Sequence, residues 1–136
     1  MPLVLNGATS GSATLQSTDA TTTTITMPST TGTLALTSAV IGIGQTWQDV
    51  TASRAFSTTY TNSTGKPIMV AVQGVSAGAS GNKAVTFYID TFAITTNGFY
   101  STTGNNYPNI TVIVPNGSTY KVEPDSVSLG KWWELR

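Results

Sequence analysis

The sequence predicts an all-β chain, a thin β-rich N-terminal stalk followed by an antiparallel β-sandwich of jelly-roll type. Three observations carry that prediction. Thr and Ser supply roughly 30% of the residues, a bias toward strands and turns. Short runs of alternating apolar and polar residues, bounded by Gly, Pro and Asn, have the period of half-buried strands. Helix is disfavoured throughout by runs of Thr, Val and Ile interrupted by Gly and Asn.

Taken in order, residues 1–38 form a Thr/Ser-rich segment with small apolar clusters: Leu3-Val4-Leu5, Ala13 and Leu15, Ile25 and Met27, Leu34 and Leu36. From Leu3 to Leu36 there is no aromatic residue and a single charge, Asp19. Such thin strands cannot bury a core alone. They become stable when several chains wind together or when they lie on another protein. A flexible linker is the alternative, but a linker has no use for Leu, Ile and Met recurring at about ten-residue spacing. Residues 39–45 (AVIGIGQ) read as a connector, with backbone freedom at Gly42 and Gly44 and with Ile41 and Ile43 available to pack between the two parts.

Residues 46–136 read as the sandwich domain, since all twelve aromatic residues lie at or after Trp47. Four strands are clear. Ile68 to Gln73 puts Ile68, Val70 and Val72 on one face. Val85 to Asp90 points Val85, Phe87 and Ile89 inward and Thr86, Tyr88 and Asp90 outward. Ile110 to Val114 stops at Pro115, and Thr119 to Glu123 stops at Pro124. Weaker strands fit Trp47–Thr51, Ala55–Thr61, Phe92–Thr95 and Trp132–Leu135. About eight strands at short spacing indicate a sandwich or jelly roll. Pro115-Asn116-Gly117-Ser118 is a tight turn, because Asn-Gly tolerates positive φ.

Composition excludes several functions. Six basic and six acidic residues cancel, and only 9% of residues are charged against roughly 25% in ordinary soluble domains. A neutral chain has no electrostatic hold on nucleic acid or anionic lipid. There is no Cys and no His, which removes disulfides, thiolate metal sites and the usual general base. No apolar run approaches the ~18 residues of a membrane span. The start MPLVLNG lacks the basic and apolar regions of a secretory signal. Glu123 and Asp125, flanking Pro124, offer too few oxygens for calcium, and a glycosidase needs two facing carboxylates. The Gly-rich stretch 76–82 lacks the strand-loop-helix context of a phosphate site. No cofactor, no metal and no enzymatic activity are expected.

The most suggestive stretch is 97–109, read as a long polar loop that carries Asn97, Phe99, Tyr100, Asn105, Asn106 and Tyr107. Tyr supplies contact area at low entropy cost and Asn adaptable hydrogen bonds, so these six are candidates for binding a receptor or glycan. The competing reading is a hairpin whose aromatics fold back on the sandwich or a neighbouring subunit. Trp132-Trp133 places one ring inward and one outward, and Trp47 is expected in the core. The sequons at Asn62, Asn109 and Asn116 arise by chance in a Thr/Ser-rich chain.

The ordered pattern Leu5-Asn6-Gly7, Ser10-Gly11-Ser12-Ala13-Thr14-Leu15, Ile25-Thr26-Met27-Pro28 and Thr31-Gly32-Thr33-Leu34-Ala35 resembles a segment of tailed-bacteriophage tail-fibre and other virion proteins. Trp47 to Arg54, Tyr60 to Ile68, Ile113 to Tyr120 and the terminal Trp133-Glu134-Leu135-Arg136 are similar to the two ends of a C-terminal module in phage tail proteins. The resemblance implies a β-rich homotrimer, made in the host cytoplasm and carried on the virion. Its N-terminal segment would join other virion proteins and trimerise through Leu3, Leu5, Leu15, Ile25, Met27, Leu34 and Leu36. Its terminal domain would touch a host-surface glycan or protein. The alternative within the same resemblance is a purely structural head fibre, decoration protein or tail adaptor.

Overall fold

The computed structural model describes residues 3–6, 12–15, 40–76, 80–101 and 105–136. The chain divides into two compact units, Met1–Leu34 and Ala35–Arg136. In the first, β1 (Leu3–Asn6) pairs antiparallel with β2 (Ser12–Leu15), setting Leu3 opposite Leu15 and Leu5 opposite Ala13. The candidate stalk residues Leu3, Leu5 and Leu15 thus lie on paired strands. Ile25, Met27, Leu34 and Leu36 lie outside the described residues.

Among the described residues the second unit holds eight strands: β3 (Trp47–Asp49), β4 (Tyr60–Thr61), β5 (Ile68–Val75), β6 (Gly81–Ile89), β7 (Phe92–Ser101), β8 (Asn109–Val114), β9 (Thr119–Asp125) and β10 (Ser128–Leu135). They form two antiparallel sheets, β3-β10-β5-β8 and β4-β9-β6-β7. Every connection except β6 to β7 crosses between sheets, which is jelly-roll wiring. Among the described residues the only helical turn is a 3-10 turn at Thr51–Ser53.

Alternation builds the core. β5 buries Ile68, Val70 and Val72, β6 buries Val85 and Phe87, β9 buries Tyr120 and Val122, and β10 buries Trp132, all in one cluster with Val50, Ile110 and Val114. Each such side chain contributes about 1.5–3 kcal/mol when fully withdrawn from water. Trp132 is buried and Trp133 half-buried, the in-and-out placement expected of neighbours on a strand.

The turns are fixed by polar side chains. Asp90 takes positive φ in the β6–β7 turn, and its carboxylate accepts from the Thr119 amide at 2.8 Å, tying the hairpin to β9. Gly117 takes φ 85° in the β8–β9 turn. Buried Asn62 shares its amide N–H groups among the Lys66, Val114 and Pro115 carbonyls at 2.8–3.0 Å, locking that turn to the β4–β5 loop. So engaged, Asn62 is no sugar acceptor.

Three expectations are corrected. Trp47 is 52% exposed, because its position on the short edge strand β3 faces outward. Ala55–Thr61 is strand only at Tyr60–Thr61. Residues 97–101 are not loop: β7 runs on to Ser101, since pairing with the long strand β6 overrides the weak strand preference of Asn, Gly and Ser.

Candidate functional site

Two polar clusters stand out, one closed and one open. The closed cluster surrounds Glu134, which alternation turns inward beside Trp132 and which is fully buried. Its Oε1 accepts from Arg54 Nε at 2.8 Å, the Tyr120 hydroxyl at 2.8 Å and Trp132 Nε1 at 3.2 Å. Its Oε2 accepts from Arg54 at 3.0 Å and lies 3.2 Å from Arg136. The Arg54 guanidinium also sits over the Tyr60 ring at 4.5 Å. Burial opposes the charge on Arg54, but the bonds to Glu134 outweigh it and raise its pKa. Burial and the bond to Glu134 push the Tyr120 hydroxyl up to about 12. With both oxygens saturated, this carboxylate anchors the core and offers no lone pair for moving a substrate proton.

The open cluster lies on the outer face of the β4-β9-β6-β7 sheet. On β6, Asn82, Ala84 and Thr86 alternate outward between inward Lys83, Val85 and Phe87. Register then sets three rows. Asn82 pairs with Tyr100; Ala84 lies between Gly98 and Asp125; Thr86 lies between Thr96 and Glu123. The middle row is low because Gly98 and Ala84 carry almost no side chain. A Cβ on Gly98 would stand 2.5 Å from the Ala84 Cβ, so this glycine serves close cross-strand approach. The result is an open groove of about 370 Å³, lined by Asn82, Ala84, Thr96, Gly98, Tyr100 and Asp125. Lys83 and Phe99 border it from residues whose side chains alternate to the other face.

The groove has an aromatic wall and polar groups with bonding capacity left over among the described residues. Tyr100 is 68% exposed, yet its hydroxyl is held 3.2 Å from Ser80 Oγ. Asn82 makes no side-chain hydrogen bond among the described residues. Among the described residues Asp125 Oδ1 accepts only from Ser126 Oγ, at 3.0 Å. Thr86 and Thr96 pair their hydroxyls at 2.9 Å. Beyond them, Lys121 and Ser57 hold the Glu123 carboxyl below its usual range, so Glu123 stays ionised. Lys121 is occupied by Glu123 at 2.8 Å and lies over the Tyr88 ring.

Of the six residues expected to bind a receptor or glycan, only Tyr100 presents its side chain to the groove. Asn97 and Phe99 alternate to the opposite face of β7, opposite Val85 and Lys83. Asn105 and Tyr107 are exposed in the β7–β8 connection, where Asn106 exchanges backbone hydrogen bonds with Ser76. Asn82, Ala84, Gly98, Thr96 and Asp125 are not among those six, because only strand register brings them together.

The other sheet bears a different surface. Trp47, Leu135, Met69 and Ile113 lie in one register row across β3, β10, β5 and β8. Trp47 and Ile113 are half exposed, and Trp47, Trp133 and Ala71 line an apolar hollow of about 420 Å³.

Among the described residues no group of three or more His, Cys, Asp or Glu could hold a metal ion, and no helix is long and apolar enough to cross a membrane. No protein-family model matches the chain, and no curated protein is significantly similar to it.

Proposed function

We propose that the chain is a structural protein of a tailed-bacteriophage virion, a homotrimeric tail-fibre or tail-tip module whose sandwich domain contributes to host-surface attachment. The observation that carries the attachment role is the open groove beside β7, where a pinned but exposed Tyr100 shares the lining with Asn82, whose side chain has no partner among the described residues, and with Asp125, whose carboxylate accepts from Ser126. Concave sites with one aromatic wall and a few convergent polar groups are built for ligands. The ordered motifs of the N-terminal segment support the virion assignment. Its β1–β2 hairpin, with four residues per strand, is too small to be stable alone, which favours winding with two further copies or docking on a neighbour.

The test is competition. Excess purified full chain, added before infection, should reduce adsorption of the parent phage, and light scattering should give three chains per particle. A chain that neither binds cells nor competes rules out attachment; a monomer rules out the trimer.

The apolar row on the opposite sheet favours a second reading, a head fibre, decoration protein or tail adaptor that recognises no receptor. Four aligned apolar residues facing outward fit docking on another virion protein. A density map of the intact particle separates the two readings: a neighbour seated on Trp47 and Ile113 with the groove also covered supports the structural role alone.

A further inference from the structure

The groove geometry also specifies a ligand class. We infer that it takes one uncharged pyranose ring, stacked against Tyr100 and gripped through adjacent hydroxyls by Asp125 and Asn82. This inference rests on the attachment reading and names its ligand.

Size comes first. The floor runs Gly98–Ala84–Asp125 across three strands, about 9.6 Å at the usual strand spacing. The rows on either side, Asn82–Tyr100 and Thr86–Thr96, stand two residues away along the strands, about 13 Å from each other. One sugar ring with its hydroxyls fills that space, and 370 Å³ lies at the small end of ligand sites of about 300–1,000 Å³.

Chemistry comes second. The Asp125 carboxylate only accepts hydrogen bonds, so the ligand must bring donors. The Asn82 amide both donates and accepts, as a hydroxyl does. Neighbouring hydroxyls satisfy the two at once, while the apolar C–H face of a sugar lies against the Tyr100 ring. That ring is already held by Ser80, so ordering it costs little on binding. A peptide strand would instead pair along β7, the edge strand of this sheet among the described residues, and leave the cross-strand floor empty.

Charge decides the subclass. Asp125 lies in the floor and ionised Glu123 in the adjoining row, while Lys121 is committed to Glu123 and Lys83 points to the inner face. A sugar bearing carboxylate or phosphate would face uncompensated like charge.

The experiment is an NMR titration of the ¹⁵N-labelled full chain with glucose, galactose, mannose, N-acetylglucosamine and rhamnose, and with N-acetylneuraminic acid as the charged probe. At least one neutral sugar should shift the Ala84, Gly98 and Tyr100 amides saturably, and the charged sugar should not. Tyr100→Ala and Asp125→Asn should each weaken that binding at least about tenfold, with the remaining resonances unmoved as a check on folding. Ala84→Leu, which fills the floor, should abolish it. The inference is overturned if no neutral sugar shifts these amides, if the charged sugar binds best, or if the variants bind as the parent does. Adhesion to cells that survives Tyr100→Ala and Asp125→Asn overturns the groove while leaving attachment in place. Sugar binding without adhesion or competition does the reverse.

Discussion

The Glu134 cluster and the groove draw on the same inventory, a carboxylate beside tyrosine, and reach opposite ends. Around Glu134 every acceptor is used: two arginines, Tyr120 and Trp132 converge on a carboxylate withdrawn from water. In the groove, among the described residues, the Asp125 carboxylate meets only Ser126, and the Tyr100 hydroxyl only Ser80. The difference lies in which face of a strand each residue occupies. Inward polar groups must be satisfied within the chain because water cannot reach them. Outward ones keep capacity for a ligand. Saturation therefore marks the part of the molecule that holds shape, and incomplete pairing the part available for recognition.

The most damaging way to break this contrast is Glu134→Ala. It leaves Arg54 without its partner and the Tyr120 hydroxyl and Trp132 indole N–H facing a cavity. Removing one member of a buried pair costs about 3–5 kcal/mol. Urea unfolding should show that loss, and a change under 1 kcal/mol would mean that water or Arg136 rearrangement compensates for the missing carboxylate.

Tyr120→Phe removes one hydrogen bond to a charged acceptor, about 1.5–3 kcal/mol. It also carries a pH signature. The Tyr120 hydroxyl ionises at about 12 in the folded protein, against 10.0 when unperturbed. Because the folded value is the raised one, its contribution is complete below pH 10 and is lost as pH climbs toward 12. The parent should lose stability across that window more steeply than Tyr120→Phe. Parallel curves would remove Tyr120 from the alkaline transition.

Much of this arrangement is legible in the sequence. The eight sandwich strands follow from alternation in Ile68–Val72, Val85–Ile89, Ile110–Val114 and Thr119–Glu123 and from the weaker runs around them. Glu134 could have been placed inward too, since it shares parity with Trp132. Register is not legible. Asn82 meets Tyr100, and Ala84 meets Gly98, because the turn at Asp90 sets the hairpin and Ile94 is an extra residue between the pairs Phe87–Thr95 and Tyr88–Ala93. That bulge shifts every later position on β7 by one. A reading of β7 alone gathers Asn97, Phe99 and Tyr100 into one loop; the pairing splits them between two faces.

Between the extremes stands Glu123, half-buried at the groove's edge and paired. Lys121 and Ser57 lower its pKa, so its contribution exists above the ordinary glutamate value and is lost as pH falls through the depressed one. Glu123→Gln should cost under about 1 kcal/mol near neutrality, as surface pairs do, and the difference from the parent should vanish in strong acid. A large cost would move Glu123 into the class of Glu134.

The smallest expected stability change gives the sharpest comparison. Tyr100 packs little and makes one exposed hydrogen bond, so Tyr100→Ala should shift the unfolding free energy by no more than about 0.5 kcal/mol. The same substitution should remove the aromatic wall of the groove and, with it, sugar binding. Stability retained while binding is lost is the behaviour of a residue kept for a ligand. If Tyr100→Ala instead destabilises the sandwich as Tyr120→Phe does, Tyr100 braces the β6–β7 hairpin through Ser80, and the distinction drawn from saturation fails at the position where it matters most.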